Sequence, residues 1–166
     1  MSRLKLEGEK ISKFIYIGIG SNIGERKENI EKSLKILNSV EGIDVVSVSS
    51  LYDTEPYGYD EQPRFLNSAV KISSSLEPIP LLGKLKEIEK EMGREKGFKW
   101  GPRIIDLDIL FYDNIILNEE GLIIPHPELH KRWFVLKPLN DIAPSFEHPL
   151  LKKTVQQLLE EINGEI

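Results

Sequence analysis

The chain has 166 residues, 40% of them hydrophobic and 30% charged, a formal net charge of -5 and no cysteine. That length supports one domain with its own core, and the missing cysteines exclude a disulfide framework and thiolate chemistry. The acidic balance sets the chain apart from nucleic-acid binders with a basic stripe, and no apolar run approaches the ~20 residues of a membrane span.

Phe14 to Gly20 reads as a first strand, and Ser21-Asn22-Ile23-Gly24 as a turn in which Asn22 and Glu25 resemble a helix-capping arrangement. A helix follows to about Asn38, with Ile30, Leu34 and Leu37 on one face. Ile43 to Leu51 and Arg64 to Ser74 read as strands. Glu77-Pro78 opens a second helix with Leu81, Leu85, Ile88 and Met92 as its stripe, ended by Gly93. A strand to Phe111 comes next, then a hairpin around Asp113-Asn114, a strand or extended segment from Phe134 to Leu139, and a closing helix from Thr154 to Ile162. The order β-α-β-β-α-β predicts an α+β, ferredoxin-like sandwich, with helices on one face of an antiparallel sheet and the ligand site on the other. Residues 1–166 are expected to form a single domain.

The strand Ile104-Ile105-Asp106-Leu107-Asp108-Ile109-Leu110-Phe111 carries two aspartates one residue apart in an apolar run. Residues two apart share a strand face, which predicts Ile105, Leu107, Ile109 and Phe111 on the core side and both carboxylates on the other. Two adjacent like charges disfavour each other's ionisation unless a cation lies between them, and paired carboxylates suit a hard ion such as Mg²⁺. A solvent-facing pair bound to nearby arginines is the structural alternative. The apolar flanks and the upstream cations Arg94, Lys96, Lys99 and Arg103 favour metal and a polyphosphate.

Positive charge is local, around residues 94–103 and 130–132, which suits a small anionic ligand. The segment from Gly93 to Gly101 reads as a mobile, cation-bearing loop able to close over phosphates. Gly18-Ile19-Gly20-Ser21-Asn22-Ile23-Gly24 fails the dinucleotide spacing and no Walker-type motif occurs, so it is read as a tight strand-to-helix turn. His126, between Pro125 and Pro127, gains an anion-binding reading from Arg132. The stretch from Tyr52 to Asn67 combines aromatics with an amide, a pairing that holds flat heterocycles, although core packing of Phe65 and strand-edge bonding of Asn67 explain those residues equally well.

Together these pieces resemble the 6-hydroxymethyl-7,8-dihydropterin pyrophosphokinase family from about Phe14 to Leu158. The motifs are Gly18-Ile-Gly-Ser-Asn22, Ser50-Leu-Tyr-Asp-Thr-Glu-Pro-Tyr-Gly58, Gln62-Pro-Arg-Phe-Leu-Asn67, Trp100-Gly-Pro-Arg-Ile-Ile-Asp-Leu-Asp108, and Pro125-His126 followed by Arg132-Trp-Phe134. The resemblance implies transfer of pyrophosphate from ATP to the pterin hydroxymethyl group, with release of AMP, in folate biosynthesis. It implies two Mg²⁺ ions on Asp106 and Asp108, with Arg94 and Lys96 also serving catalysis. It assigns the pterin to a stack between Phe65 and Phe134, with Thr54, Glu55, Tyr57, Asn67 and Trp100 completing that site. ATP would be met by Glu89, Arg94, Lys96, Lys99, Trp100, Arg103, Ile109, His126 and Arg132.

Lys96 and Lys99 stand where many members use arginine, and Gly121 and Ile123 where some offer polar contacts to ATP. Residues 1–13 form an extension outside the resemblance and lack the apolar stretch of a secretory signal. The expectation is a monomeric cytoplasmic enzyme with a single activity and no nucleic-acid or membrane partner. Two other readings fit the aspartate pair: a metal-dependent phosphohydrolase or nuclease, and a noncatalytic binding module on a widely used scaffold.

Overall fold

The structure is a computed structural model that describes residues 11–54, 63–93 and 104–164. Strand β1 (Lys13–Ser21) runs through the centre of the sheet, because its isoleucines and its glycines serve opposite faces. Ile15, Ile17 and Ile19 are buried to 2% exposure or less beneath two helices, α1 (Arg26–Ser39) and α2 (Pro78–Glu91). Those helices contribute Ile30, Leu37, Leu81, Leu85, Ile88 and Met92, the stripe that the 3.6-residue spacing predicts. Full burial of each such side chain contributes about 1.5–3 kcal/mol. Pro78 sits in the first turn of α2, where a missing N–H is harmless. Gly93, at φ +88°, follows its last turn in the left-handed conformation that glycine adopts without strain.

Strands β2 (Ile43–Val48), β4 (Phe65–Ser74) and β5 (Asp106–Tyr112) join β1 in the order β2-β4-β1-β5, and short β3 (Tyr52–Thr54) also pairs with β4. All pairings are antiparallel. With α1 and α2 between the strands, this is the expected ferredoxin-like arrangement. The predicted strand from Ile43 to Leu51 is shorter than expected, and the chain after it re-enters the sheet as β3.

Four further details differ from the sequence expectations, each for a physical reason. Phe111 does not share a face with Ile105, Leu107 and Ile109. The register against β1 runs from Tyr16 opposite Phe111 to Ile17 opposite Ile109, so Leu110 is an extra residue and the alternation flips there. Leu110 and Phe111 consequently pack with Tyr16 and Ala69 in a second core on the other side of the sheet. That core is roofed by α3 (Trp133–Ile142) and α4 (Val155–Gly164).

The segment from Phe134 to Leu139, read as extended, is helical. A short run with a single charged residue, Lys137, does not distinguish strand from helix by period, and the long-range partners decide it: Leu136, Leu139 and Ala143 lie at helical spacing against Phe111 and α4. Pro138 within α3 removes one backbone donor and leaves the helix intact.

Asn22 does not cap α1. Glu25 holds the cap position without a side-chain bond, while the buried Asn22 amide donates to the Pro63 carbonyl at 3.1 Å. The turn at Asp113 leads out of β5, but the hairpin it precedes is built from β6 (Leu117–Glu119) and β7 (Leu122–Ile124). Its turn uses Gly121 at φ +86°.

Candidate active site

The two halves of the β1 and β5 sequences explain each other. Asp106 lies directly opposite Gly20, and Asp108 opposite Gly18. Opposed residues of an antiparallel pair share a face, so the half-buried Asp106 and exposed Asp108 stand beside backbone that carries no side chain. The far neighbour of Gly20 is Asn67 on β4. With strands about 4.8 Å apart, the aspartate edge and the Asn67 edge lie roughly 10 Å from one another across a bare glycine floor. This face is opposite α1 and α2, and α3 and α4 cover the end of it that carries Tyr16, Ala69 and Leu110.

Hard oxygen donors on neighbouring positions of one strand, beside a floor without Cβ atoms, fit magnesium. That ion takes one or two protein carboxylates and fills its remaining positions with water and phosphate oxygens. Glu89 supports the pair from below. It is 2% exposed, and its Oε2 accepts the Leu107 peptide N–H at 2.8 Å. Its other oxygen lies 3.5 Å from Lys86 Nζ. Glu89, which the resemblance assigns to ATP, thus lies on the helix side of β5, bonded to that strand and to Lys86.

Beside Asp108 opens a cleft of about 300 Å³, lined by α2, β5 and the β6–β7 hairpin. Ile109 and His126, which the resemblance assigns to ATP, line it, together with Leu82 and Lys86, which the sequence reading does not name. Their spacing of four residues, with Glu89 three further on, places all three on one face of α2, a signal the sequence carried. Gly121 and Ile123 lie at the same cleft and present no polar side chain to it.

The His126 peptide N–H donates to the Leu110 carbonyl at 3.0 Å, which fixes the chain against β5. Burial lowers the pKa of the ring, and the Arg132 charge lowers it further, against the opposing pull of Asp108 and Glu128. The ring Nδ1 accepts a long bond from the Glu128 N–H at 3.4 Å, so a neutral ring carries its proton on Nε2 as a donor. Arg132 then leads into α3, with its guanidinium carbon 5.9 Å from the Phe134 ring centre.

At the other edge of the floor, Asn67 donates to Thr54 Oγ1 at 2.6 Å, both residues being buried. Phe65 is the register partner of Thr54, and its ring approaches the Gly20 position. Phe134 stands in the first turn of α3, which packs against β3 and β4. The structure therefore gathers Thr54, Phe65 and Asn67 on adjoining strands and brings the helix bearing Phe134 over them.

Two anchors flank this group. Arg26 reaches Asp53 at 3.0 Å and the Arg64 carbonyl at 3.0 Å, and Arg64 Nε reaches Asp53 at 2.8 Å. The Arg26 hydrogen bond and then the Arg64 one hold the Asp53 carboxyl below the usual carboxylate range. The Tyr52 hydroxyl donates to the Asp141 carboxylate, 2.9 and 2.8 Å from its two oxygens, and the Ser50 N–H donates to the same carboxylate at 3.2 Å.

Glu55, Tyr57, Arg94, Lys96, Lys99, Trp100 and Arg103, and with them the expected loop from 93 to 101 beyond its first residue, lie outside the described residues. Among the described residues no helix is long and apolar enough to cross a membrane.

Residues 16–144 match the sequence profile of 7,8-dihydro-6-hydroxymethylpterin-pyrophosphokinase (HPPK). The chain is 44% identical over 132 residues to 2-amino-4-hydroxy-6-hydroxymethyldihydropteridine pyrophosphokinase of Bacillus subtilis, covering 80% of this chain and 79% of that protein. It is 40% identical over 147 residues to the protein of the same name from Aquifex aeolicus, covering 89% and 91%. The folic acid synthesis protein fol1 of Schizosaccharomyces pombe is 44% identical over 158 residues, 95% of this chain. The chain spans only 21% of that fungal relative's length. A crystal structure of Plasmodium falciparum HPPK-DHPS with pteroate superposes with a TM-score of 0.74 at 17% identity, over 94% of this chain and 43% of that one, which establishes a shared fold. The chain belongs to the 7,8-dihydro-6-hydroxymethylpterin-pyrophosphokinase family.

Proposed function

We propose that this chain transfers pyrophosphate from ATP to the hydroxymethyl group of 6-hydroxymethyl-7,8-dihydropterin, releasing AMP, as a step of folate biosynthesis. The observation that carries the reading is the glycine floor, with paired carboxylates on one edge and a buried amide beside an aromatic ring on the other. In the reaction the hydroxymethyl oxygen forms a bond to the β-phosphorus. The bond from that phosphorus to the oxygen bridging to the α-phosphate breaks, AMP leaves, and the hydroxyl proton passes to solvent.

Asp106 and Asp108 would hold magnesium, two ions in our reading, which when bound supplies charge neutralisation and an in-line template for the triphosphate. His126, as a neutral Nε2–H donor, and Arg132, as a cation, are assigned to the phosphates, together with Arg94, Lys96, Lys99 and Arg103. Lysines 96 and 99 supply point charges without the bidentate fork of arginine. Ile109 packs against the nucleotide in the adjoining cleft. The pterin is assigned to Asn67 and Thr54 at its polar edge and to Phe65 and Phe134 on its faces, with Glu55, Tyr57 and Trp100 completing the site. Holding two reactants in line is the larger part of what such a protein supplies, since phosphoryl transfer needs little covalent help.

A net charge of -5 suits these small substrates better than a polynucleotide. Action as a monomer in the cytoplasm is part of the same proposal, and a chain without cysteine is compatible with it.

The test is product identity. The protein is incubated with ATP, Mg²⁺ and the pterin, and nucleotides are resolved by chromatography. AMP that appears only when pterin and metal are both present supports the reading. ADP would place attack at the γ-phosphorus, and phosphate release without pterin would make the protein a hydrolase.

A further inference from the structure

Tyr52 meets three residues of α3. Its hydroxyl donates to Asp141 in the last turn of the helix, and its ring meets Trp133, the first residue of α3, edge to face at 6.4 Å between centroids. Lys137, from the middle turn, lies 5.9 Å over the same ring. The Asp141 carboxylate also takes the Ser50 N–H, so one acidic group fixes both the side chain of β3 and the backbone leading into it. On its own sheet Tyr52 is the direct cross-strand partner of Asn67, and it lies two residues before Thr54, which accepts the Asn67 amide bond. The helix turn it touches through Trp133 is the turn that carries Phe134.

We infer that Tyr52 and Asp141 are positioning residues that set the separation between the Phe134 turn of α3 and the Thr54–Asn67 edge of the sheet, and thereby the width of the slot for a flat heterocycle. This rests on the proposed pterin site, since the slot has a function only if a ring enters it. The separation needs a brace because α3 packs into the second core through Leu136 and Leu139, while Trp133 and Phe134 of its first turn lie outside that core cluster. Without a fixed point at β3, rotation of the helix about that core would move Phe134 relative to Asn67. The nucleotide cleft is lined from α2, β5 and the β6–β7 hairpin, with neither Tyr52 nor Asp141 among its walls. A slot-width effect therefore falls on one substrate and spares the other. A merely structural role would lower stability and disturb both.

The experiment is steady-state kinetics on the full chain with Tyr52→Phe, Asp141→Ala and Asp141→Asn, after AMP formation by the wild type is confirmed. Tyr52→Phe keeps the ring against Trp133 and removes only the hydroxyl bond. Both Tyr52→Phe and Asp141→Ala are expected to raise KM for the pterin about five- to tenfold. KM for ATP and kcat stay within about twofold of wild type, because the ATP cleft and the aspartate pair are untouched. Asp141→Asn keeps an oxygen acceptor for Tyr52 and restores the pterin KM toward wild type. Combining Tyr52→Phe with Asp141→Ala adds nothing to the Asp141→Ala change, as expected when the Tyr52 bond is one of the two that Asp141 makes among the described residues. An unchanged pterin KM in Tyr52→Phe and Asp141→Ala overturns the inference. So does an equal rise in both KM values accompanied by a lower Tm. If the wild type forms no AMP with the pterin, the proposed activity fails first and this inference falls with it.

Discussion

Glu89 accepts the peptide N–H of Leu107, the residue between Asp106 and Asp108, at 2.8 Å. A carboxylate on one side of the sheet thus holds the backbone on which two other carboxylates are mounted. Removing it leaves a buried N–H without an acceptor, which costs about 1–3 kcal/mol. Glu89→Ala should therefore lower Tm by roughly 3–10 °C in a chain of this size, and should weaken the Mg²⁺ dependence of turnover. Glu89→Gln keeps a carbonyl acceptor and should retain most of both. Thermal unfolding and a Mg²⁺ titration of the two variants check this. Equal loss in both would show that the charge, and not the hydrogen bond, matters.

Asp108 is exposed and Asp106 half-buried, and neither belongs to a hydrophobic core cluster. Asp106→Ala and Asp108→Ala should each reduce turnover at least on the order of 10²-fold, the scale seen when one electrostatic stabiliser is lost. Tm should stay near the wild-type value. Near-normal kcat in both variants at saturating Mg²⁺ would remove these residues from the metal site.

What the sequence revealed of this arrangement follows from what is local. The α1 and α2 stripes depend on a period that a single segment displays. The pairing of Asp106 with Gly20 and of Asp108 with Gly18 depends on register between segments nearly 90 positions apart. The spacing of the two glycines, read alone, suggested only a turn. Phe111 was misplaced because a bulge at Leu110 arises from the β1 pairing and leaves no mark on the β5 sequence. At Phe134 the contiguous apolar residues Phe134, Val135 and Leu136 suit strand and helix alike, and the partners that select a helix come from β5 and α4. The Tyr52–Asp141 contact, 89 residues apart, lay beyond any local pattern.

The glycine floor makes its own prediction. A Cβ built at Gly20 would lie 3.1 Å from Asn67 Oδ1 and 3.4 Å from the Phe65 ring, whereas one at Gly18 would meet the Leu110 side chain at 3.4–3.6 Å. The first contact is tight and pushes on the amide assigned to the pterin edge. The second is ordinary packing. Gly20→Ala should raise KM for the pterin by about tenfold or more, and Gly18→Ala should change it by less than about threefold. Kinetics on the pair, with KM for ATP as the internal control, decide the matter. Equal behaviour of the two variants would separate Gly20 from substrate binding.

Acid sensitivity should arise at His148, which is 3% exposed beneath the second core. Its Nδ1 accepts the Leu150 and Leu151 N–H groups at 3.2 and 3.1 Å, so that nitrogen must be unprotonated in the fold. Burial lowers its pKa, and the neighbouring His130 lowers it further, while Phe111 packs edge-on to the ring. The unfolded value is about 6.5. Below that pH the unfolded chain binds a proton that the folded chain refuses, so stability falls as pH drops from about 6.5 toward the depressed folded value. Above pH 6.5 both forms are neutral and the contribution is constant. His126, also depressed, adds a slope of the same sign. His148→Asn supplies an oxygen in place of Nδ1 and does not titrate. Urea unfolding at pH 7.5 and pH 5 should show a smaller loss of stability on acidification in that variant than in the wild type. Parallel losses would assign the acid sensitivity to other groups.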